Sequence, residues 1–393
     1  MKALSGCDSP LRDPGPACLT SKKFDLYYKE AEGLSLMVES QQTTLKDLLG
    51  EHTGEGQLYR DLGGGKLECF ACGHRCVIGE GRDGICRVRF NRGGTLRVPW
   101  GYVGALQLDP VEKKPFFHAL PGSLAVSFGM LGCDYHCSYC QNWVTSQALR
   151  DPDAVSAPEA LTPEEFAALA LRHGAAIVTS TYNEPLITSE WAVELFKVAR
   201  RHRLVTSYVS NGNGTPEVLE YIRPWVDLYK VDLKGFDDKH YRKLGGVLQN
   251  VLDSIVRLHQ MKFWLEIVTL FVPGFNDSEQ EMRAIAGFIS SVSNDIPWHV
   301  TAFHSDYRML ETGNTPARTL VRAAEIGTEA GLRYVYAGNL PGQVGRYENT
   351  YCASCGEVLI KRRGFNVLEN KLVDGCCPRC ATPVPGFWKV PGK

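Results

Sequence analysis

The chain has 393 residues, with 43 basic and 44 acidic side chains and 44% hydrophobic residues. That length exceeds what one small core needs and predicts one large domain with appendages, or two to three domains. The charge balance excludes a global nucleic-acid footprint, the apolar content excludes disorder of the whole chain, and no run approaches the ~18 apolar residues of a membrane span. The opening MKALSGCDSPLRDPGP lacks the apolar core of a signal peptide, so we expect a cytoplasmic protein with no membrane partner.

Residues 1–60 read as a polar N-terminal appendage with room for one or two helices. Leu34, Leu36, Leu45, Leu48 and Leu49 follow no regular period there. Residues 61–119 read as a small Cys-rich module around CFACGHRCVIGEGRDGICRVRFNRGG, where turn residues separate the cysteines and short strand-like runs follow. Cys69, Cys72, Cys76 and Cys86 are spaced C-x2-C-x3-C-x9-C with His74 between them. Four sulfurs at this spacing suit a tetrahedral zinc site, and equally an auxiliary iron–sulfur cluster. The segment DPVEKKPFFH brings Asp109, Glu112, Lys113, Lys114 and His118 ahead of the next strand. It suits closure of a barrel mouth, docking of a partner, or a solvated charged connection.

Residues 120–344 alternate between two periods. Strand-like runs fall at 124–130, 175–181, 204–210, 227–233, 263–271, 298–303 and 332–338, with helical patterns at 162–172, 187–202, 215–223, 238–259, 278–292 and 316–330. TPEEFAALALRHG carries full helix punctuation: Thr162 as N-cap, Pro163 first, Glu165 third and Gly174 past the end. Such βα units predict an α/β fold, a partial or near-complete (β/α) barrel with its chemistry at the C-terminal strand ends. Residues 345–393 break the alternation. Cys352, Cys355, Cys377 and Cys380 read C-x2-C-x21-C-x2-C, a zinc-ribbon-like module, with Cys376 excluded because the C-P-x-C knuckle begins at Cys377.

The fourteen cysteines are clustered, apart from Cys7 and Cys18. In a reducing compartment such clusters read as metal ligands, and the CxxC pairs are too short to bridge comfortably as disulfides. The most informative set is GCDYHCSYCQNW, directly after the first barrel strand. Cys133, Cys137 and Cys140 can wrap one [4Fe-4S] cubane and leave its fourth iron open for a ligand. A zinc site would want a fourth donor, which His136 offers, but the position at a barrel strand end favours the cluster.

This loop, with Tyr139 as its aromatic, resembles that of the radical SAM superfamily. The resemblance implies an enzyme whose open iron chelates S-adenosylmethionine, and whose reduced cluster cleaves it to a 5′-deoxyadenosyl radical that abstracts hydrogen. It also implies cofactor-binding roles at the strand ends. Asn183 and Glu184 in TSTYNEP stand where a GGEP-like turn receives the methionine ammonium, without the two glycines. Ser210 and Asn211 in SNGNG stand where ribose hydroxyls are held. Asp232 and Lys234 match the D-x-K of glycyl-radical-enzyme activases, a surface ion pair being the alternative. FVPGFND (271–277) is a turn of the kind that contacts adenine. Of His299 and His304, five apart and so on opposite strand faces, His304 at the C-terminal end is expected to point inward.

From Leu58 to Trp388 the motifs resemble the AmmeMemoRadiSam-system radical SAM enzymes, relatives of pyruvate formate-lyase activating enzymes. This implies an activating-enzyme-like oxidoreductase acting on a protein or peptide, and a low-potential flavodoxin- or ferredoxin-type electron donor. It also makes the system's neighbouring proteins possible partners. Auxiliary clusters in activases follow the cysteine loop, whereas the Cys69 set precedes it, which favours a structural metal there. Two other functions stay open: radical SAM modification of a small molecule, and a metal-binding interaction protein with zinc ribbons, supported by KRRG at 361–364.

Overall fold

The structure, a computed structural model, describes residues 44–390. The expectations placed on residues 1–43, including Cys7, Cys18, Leu34 and Leu36, lie outside the described residues. Helix α1 (Leu45–Glu51) starts with a reciprocal cap in which Thr44 Oγ1 accepts from Asp47 N and the Asp47 carboxylate accepts from Thr44 N. Strands β1 (Thr53–Glu55), β2 (Tyr59–Gly63), β3 (Lys66–Cys69), β4 (Val77–Gly79), β5 (Phe90–Arg92) and β6 (Thr95–Pro99) form two antiparallel sheets, ordered β1-β6-β5 and β2-β3-β4. The β5–β6 turn places Gly93 and Gly94 at φ +63° and +72°, and Glu80 accepts from both their N–H groups. Thr53 pairs with Pro99 and Tyr59 with Cys69, so this Cys-rich module reaches back before residue 61.

The chain then passes through β7 (Tyr102–Val103) and β8 (Ala105–Pro110) to β9 (Leu124–Gly129), the short α2 (Trp143–Ser146), β10 (Glu159–Ala160) and α3 (Pro163–Arg172). Regular alternation follows: β11 (Ile177–Ser180), α4 (Ser189–Arg201), β12 (Val205–Ser210), α5 (Pro216–Ile222), β13 (Leu228–Asp232), α6 (Asp238–Leu244), α7 (Leu248–Gln260), β14 (Trp264–Phe271), α8 (Glu279–Val292), β15 (Trp298–Ala302), α9 (Ala317–Glu329) and β16 (Val335–Gly338). Strands β9 and β11 to β16 are parallel and lie in sequence order, with β8 antiparallel on the β9 edge. β8 and β16 do not pair with each other, so the eight-stranded sheet is a partial barrel. The strands are buried on both faces, as a parallel sheet covered by helices requires.

The expected helix over 238–259 is two helices, α6 and α7. Gly245 breaks it at φ +90°, and a Cβ there would lie 2.6 Å from the His136 ring. A Cβ on Gly246 would lie 2.3 Å from the Tyr135 hydroxyl. The break is therefore the seat of the cysteine loop, and His136 N–H donates to the Leu244 carbonyl at 2.9 Å.

The 109–118 segment closes the opposite end of the barrel from the mouth. Val111, Phe116 and Ala119 pack with Ala125, Ile177 and Val205, which lie at or beside the strand starts. Its Glu112, Lys114 and His118 are buried, so the connection is not a solvated one. The C-terminal module, β17 (Thr350–Tyr351), β18 (Val358–Arg363) and β19 (Asn366–Asn370), packs Leu359 and Ile360 against Phe117, Tyr334 and Tyr336. Within the basic run, Arg362 is wholly buried and donates to the Phe117 carbonyl at 2.7 Å and to Thr350 Oγ1 at 2.8 Å. That run is thus in part a strut, with Lys361 and Arg363 exposed on either side of it.

Candidate active site and metal centres

Period-two alternation decides which side chains reach the barrel interior. Lys230 and Asp232 on β13, Val268 and Leu270 on β14, and His299 and Thr301 on β15 line a cavity of about 390 Å³. Cys133, Cys137 and Cys140 line the same cavity, together with Tyr139, Asn183, Glu184, Asn211 and Lys234. Cys137 is buried and the other two thiols are half-buried. Burial pushes all three upward, Cys137 to about 12. A metal group held here would take the three sulfurs as thiolates. Tyr139 Oη, buried beside them, has no hydrogen-bond partner. Three sulfur donors on a cavity wall, with space before them, fit a cubane cluster with one open iron.

The loop carrying these cysteines is braced by Asp134, to which no motif in the sequence draws attention. Its carboxylate accepts from Asn211 Nδ2 and Asn213 Nδ2, each at 2.8 Å. Glu184 ties the end of β11 to the end of β12. It accepts from Ser210 Oγ and Asn211 N at 2.7 Å and from Leu186 N at 3.1 Å. Burial, then the Asp134 charge, pushes the Glu184 carboxyl up to about 8, while its three donors act the other way. Asn183 Oδ1 accepts from Met130 N at 3.1 Å, which fixes the start of the cysteine loop.

Asp232 lies between two ammonium groups, accepting from Lys230 Nζ and from Lys234 Nζ at 3.3 Å. Burial raises its carboxyl, but the two lysines outweigh that and hold it at about 2. Its side chain is 32% exposed, opening into the cavity. The ion pair therefore sits in the cavity wall. Lys230 joins the pair unexpectedly, although its signal is present in the sequence: K-x-D places Lys230 and Asp232 on one face of β13, and Lys234, just past the strand end at Asp232, reaches the same cavity.

Two expected residues lie outside the cavity lining. Ser210 does not line the cavity. Val209 and Asn211 do, and the intervening Ser210 hydroxyl is engaged by Glu184 and by Gly212 N–H at 3.0 Å. His304 lies beyond β15 and is exposed, while His299 is buried and reaches the cavity. The strand ends at Ala302, so the parity argument no longer holds at residue 304. His299 Nε2 meets Glu266 Oε2 at 2.7 Å, and burial lowers its pKa despite that carboxylate. The 271–277 turn does not line this cavity; its Phe275 stacks on His240 at 4.5 Å and packs on Tyr139.

Of the flanking cysteines, Cys352, Cys355, Cys377 and Cys380 have their sulfurs within 4.8 Å of one another. Opposing pairs lie at 3.6 and 3.7 Å. A tetrahedral ion with bonds of about 2.3 Å to sulfur asks for edges of about 3.8 Å. Cys376 stands outside this tetrad, near the Asp374 carbonyl. Cys69, Cys72 and Cys86 are buried and Cys76 is half-buried. Among the described residues they do not gather as the C-terminal tetrad does.

Among the described residues no helix is long and apolar enough to cross a membrane. A family model for the radical SAM superfamily matches residues 129–286. An uncharacterized protein of Methanocaldococcus jannaschii is 36% identical over 314 residues, 79% of this chain and 92% of its own length. A pyruvate formate-lyase-activating enzyme of Staphylococcus epidermidis is 25% identical over 183 residues, 44% of this chain and 72% of its own. A solved domain of a pyruvate-formate lyase-activating enzyme from Bacteroides vulgatus covers 41% of this chain and 98% of itself, at 18% identity and a TM-score of 0.38. With its three-cysteine loop inside the matched span and a relative of this extent, the chain belongs to the radical SAM superfamily, a family of enzymes, and shares its family with the Methanocaldococcus protein.

Proposed function

We propose that the chain is a radical SAM enzyme of the activating type, abstracting hydrogen from a protein or peptide. The observation that carries the reading is the cavity in which three thiols face Asn183, Asp232, Lys230 and Lys234. In this reading Cys133, Cys137 and Cys140 hold the [4Fe-4S] cluster. When bound, the cluster and S-adenosylmethionine supply a reductive cleavage that yields a 5′-deoxyadenosyl radical. Asn183 and the carbonyls beside it accept hydrogen bonds from the cofactor's ammonium, which needs acceptors. Lys234 and Lys230, oriented by Asp232, meet its carboxylate. Tyr139 and Asn211 shape the wall, and Glu184 holds the two strand ends in register. The C-terminal tetrad takes zinc. For the domain division this reading keeps an N-terminal appendage, a Cys-rich module to residue 119, a barrel at 120–344 and a ribbon module at 345–393, with Thr53–Glu55 and Tyr59–Gly63 counted in the Cys-rich module because they pair with its strands.

The activating-type reading is supported by the Staphylococcus relative, and the AmmeMemoRadiSam assignment by the motifs from Leu58 to Trp388. A flavodoxin- or ferredoxin-type donor supplies the electron, and the neighbouring proteins of that system are partner candidates. Anaerobic reconstitution with S-adenosylmethionine and dithionite is expected to give 5′-deoxyadenosine. No product from a preparation with its cluster intact overturns the reading. Deuterium exchange between labelled 5′-deoxyadenosine and candidate acceptors separates a protein substrate from a small molecule.

A further inference from the structure

The Cys69, Cys72, Cys76 and Cys86 set lies against the catalytic loop, and its sulfurs are arranged unlike those of the zinc-type tetrad. We infer that these four cysteines hold a second, fully ligated [4Fe-4S] cluster, and not the structural metal that their position ahead of the loop favours.

Ligand spacing comes first. Four thiolates on one zinc ion crowd together, with edges of about 3.8 Å. The C-terminal tetrad meets that demand. Among the described residues the Cys69 set does not, and neither does the Cys133, Cys137 and Cys140 set. A cubane keeps its thiolates farther apart, because four irons lie between them. The Cys69 set thus lacks the close approach of the zinc-type tetrad, as does the cysteine loop that suits a cubane.

Unpartnered donors come second. Arg89, three residues past Cys86, has a side chain only 1% exposed. Its guanidinium grips Glu190 with two 2.7 Å bonds and donates to the Ile187 carbonyl at 3.0 Å, yet its Nε–H has no partner. His74, between Cys72 and Cys76, is likewise left with Nε2 buried and unpaired. Buried polar atoms without partners point to a group that protein atoms do not supply. Cluster sulfurs are acceptors, and bonds to them are an established lever on such centres. Ile85 N–H already donates to Cys76 Sγ at 3.4 Å.

Placement comes third. A Cβ on Gly132 would lie 3.0 Å from the Cys86 carbonyl oxygen, so the last ligand touches the residue before Cys133. Gly73 N–H donates to the Asn213 carbonyl at 2.8 Å, and Asn213 Nδ2 donates to Asp134. Two separate routes therefore join the sets within a few residues. With four protein thiolates the second cluster has no open iron, so it takes no S-adenosylmethionine and its chemistry is limited to holding one electron.

Metal analysis of the anaerobically purified full chain tests this, whether or not the cofactor is cleaved. About eight irons and one zinc per chain are expected, against about four irons and two zincs for a structural zinc at this site. The C133A/C137A/C140A variant is expected to keep about four irons, and on reduction to show a cluster EPR signal that S-adenosylmethionine does not alter. A folded triple variant without iron, or a parent with a second zinc, overturns the inference. If the triple variant does not fold, the iron-to-zinc ratio of the parent decides alone.

Discussion

At the residue scale, Glu184 binds the site together through its own hydrogen bonds. Three donors converge on its carboxylate. Glu184→Gln leaves one acceptor oxygen and turns an N–H toward the Asn211 amide, so a buried donor loses its partner. The cost expected is roughly 1–3 kcal/mol, read as a lower urea midpoint with weaker cofactor binding following from the loosened strand ends. An unchanged midpoint with weakened binding would make Glu184 a direct ligand instead of a brace. His118 allows a pH prediction. The Pro385 carbonyl can only accept, so Nδ1 carries the proton and Nε2 receives the Tyr336 hydroxyl, both at 2.6 Å. Burial lowers this fully buried imidazole from 6.5 to about 4. The unfolded chain therefore binds the proton first as pH falls. Its stabilisation is complete above pH 6.5 and is lost on descending toward 4, on the order of 3 kcal/mol. Unfolding midpoints between pH 4 and 7 should show this slope in the parent and a shallower one in His118→Gln.

At the element scale, the break between α6 and α7 shows how a helix corner prepares a cofactor loop. Tyr135 and His136 occupy the space that side chains at 245 and 246 would fill. Gly246→Ala should push the Tyr135 ring out and lower iron retention at the cysteine loop, measured by iron content after anaerobic gel filtration. Gly287 is the control: it lies in α8, and a methyl group there would have no heavy atom within 4 Å outside its own helix backbone. Gly287→Ala should stabilise by about 0.5–1 kcal/mol and leave iron unchanged. Equal iron loss in both variants would separate the α6–α7 corner from the cysteine loop.

At the scale of the whole molecule, Arg362 is the buried charge among the contacts that tie the C-terminal module into the barrel floor. Arg362 lies 3.6 Å from the buried Glu112 carboxylate, over the Phe117 ring and against Thr350, whose hydroxyl meets Tyr336. Burial raises Glu112 and lowers Arg362, so each charge depends on the other. Arg362→Met strands Glu112 and should cost roughly 3–5 kcal/mol. Lys361→Ala and Arg363→Ala, both exposed, should stay within about 0.5 kcal/mol. Denaturant titrations check the contrast, and three equal effects would refute the strut.

Much of this was legible because the signals are local. Strand and helix periods, the Thr162 cap, the C-x3-C-x2-C loop on the first strand and the ribbon tetrad are written within a few residues each. Hydrogen bonding and ligand geometry read such patterns without reference to the rest of the chain. What the sequence could not determine depends on elements distant in the chain. His299 rather than His304 reaches the cavity because β15 ends at Ala302. Ser210 faces away because its strand neighbours face in. The 109–118 segment seals the floor because its apolar residues meet the strand starts, not the mouth. Period-two alternation settles which residues share a face, but only the packed barrel decides which face is inside. The close approach of Cys86 to Gly132, across some forty-six residues of chain, is likewise a product of packing alone.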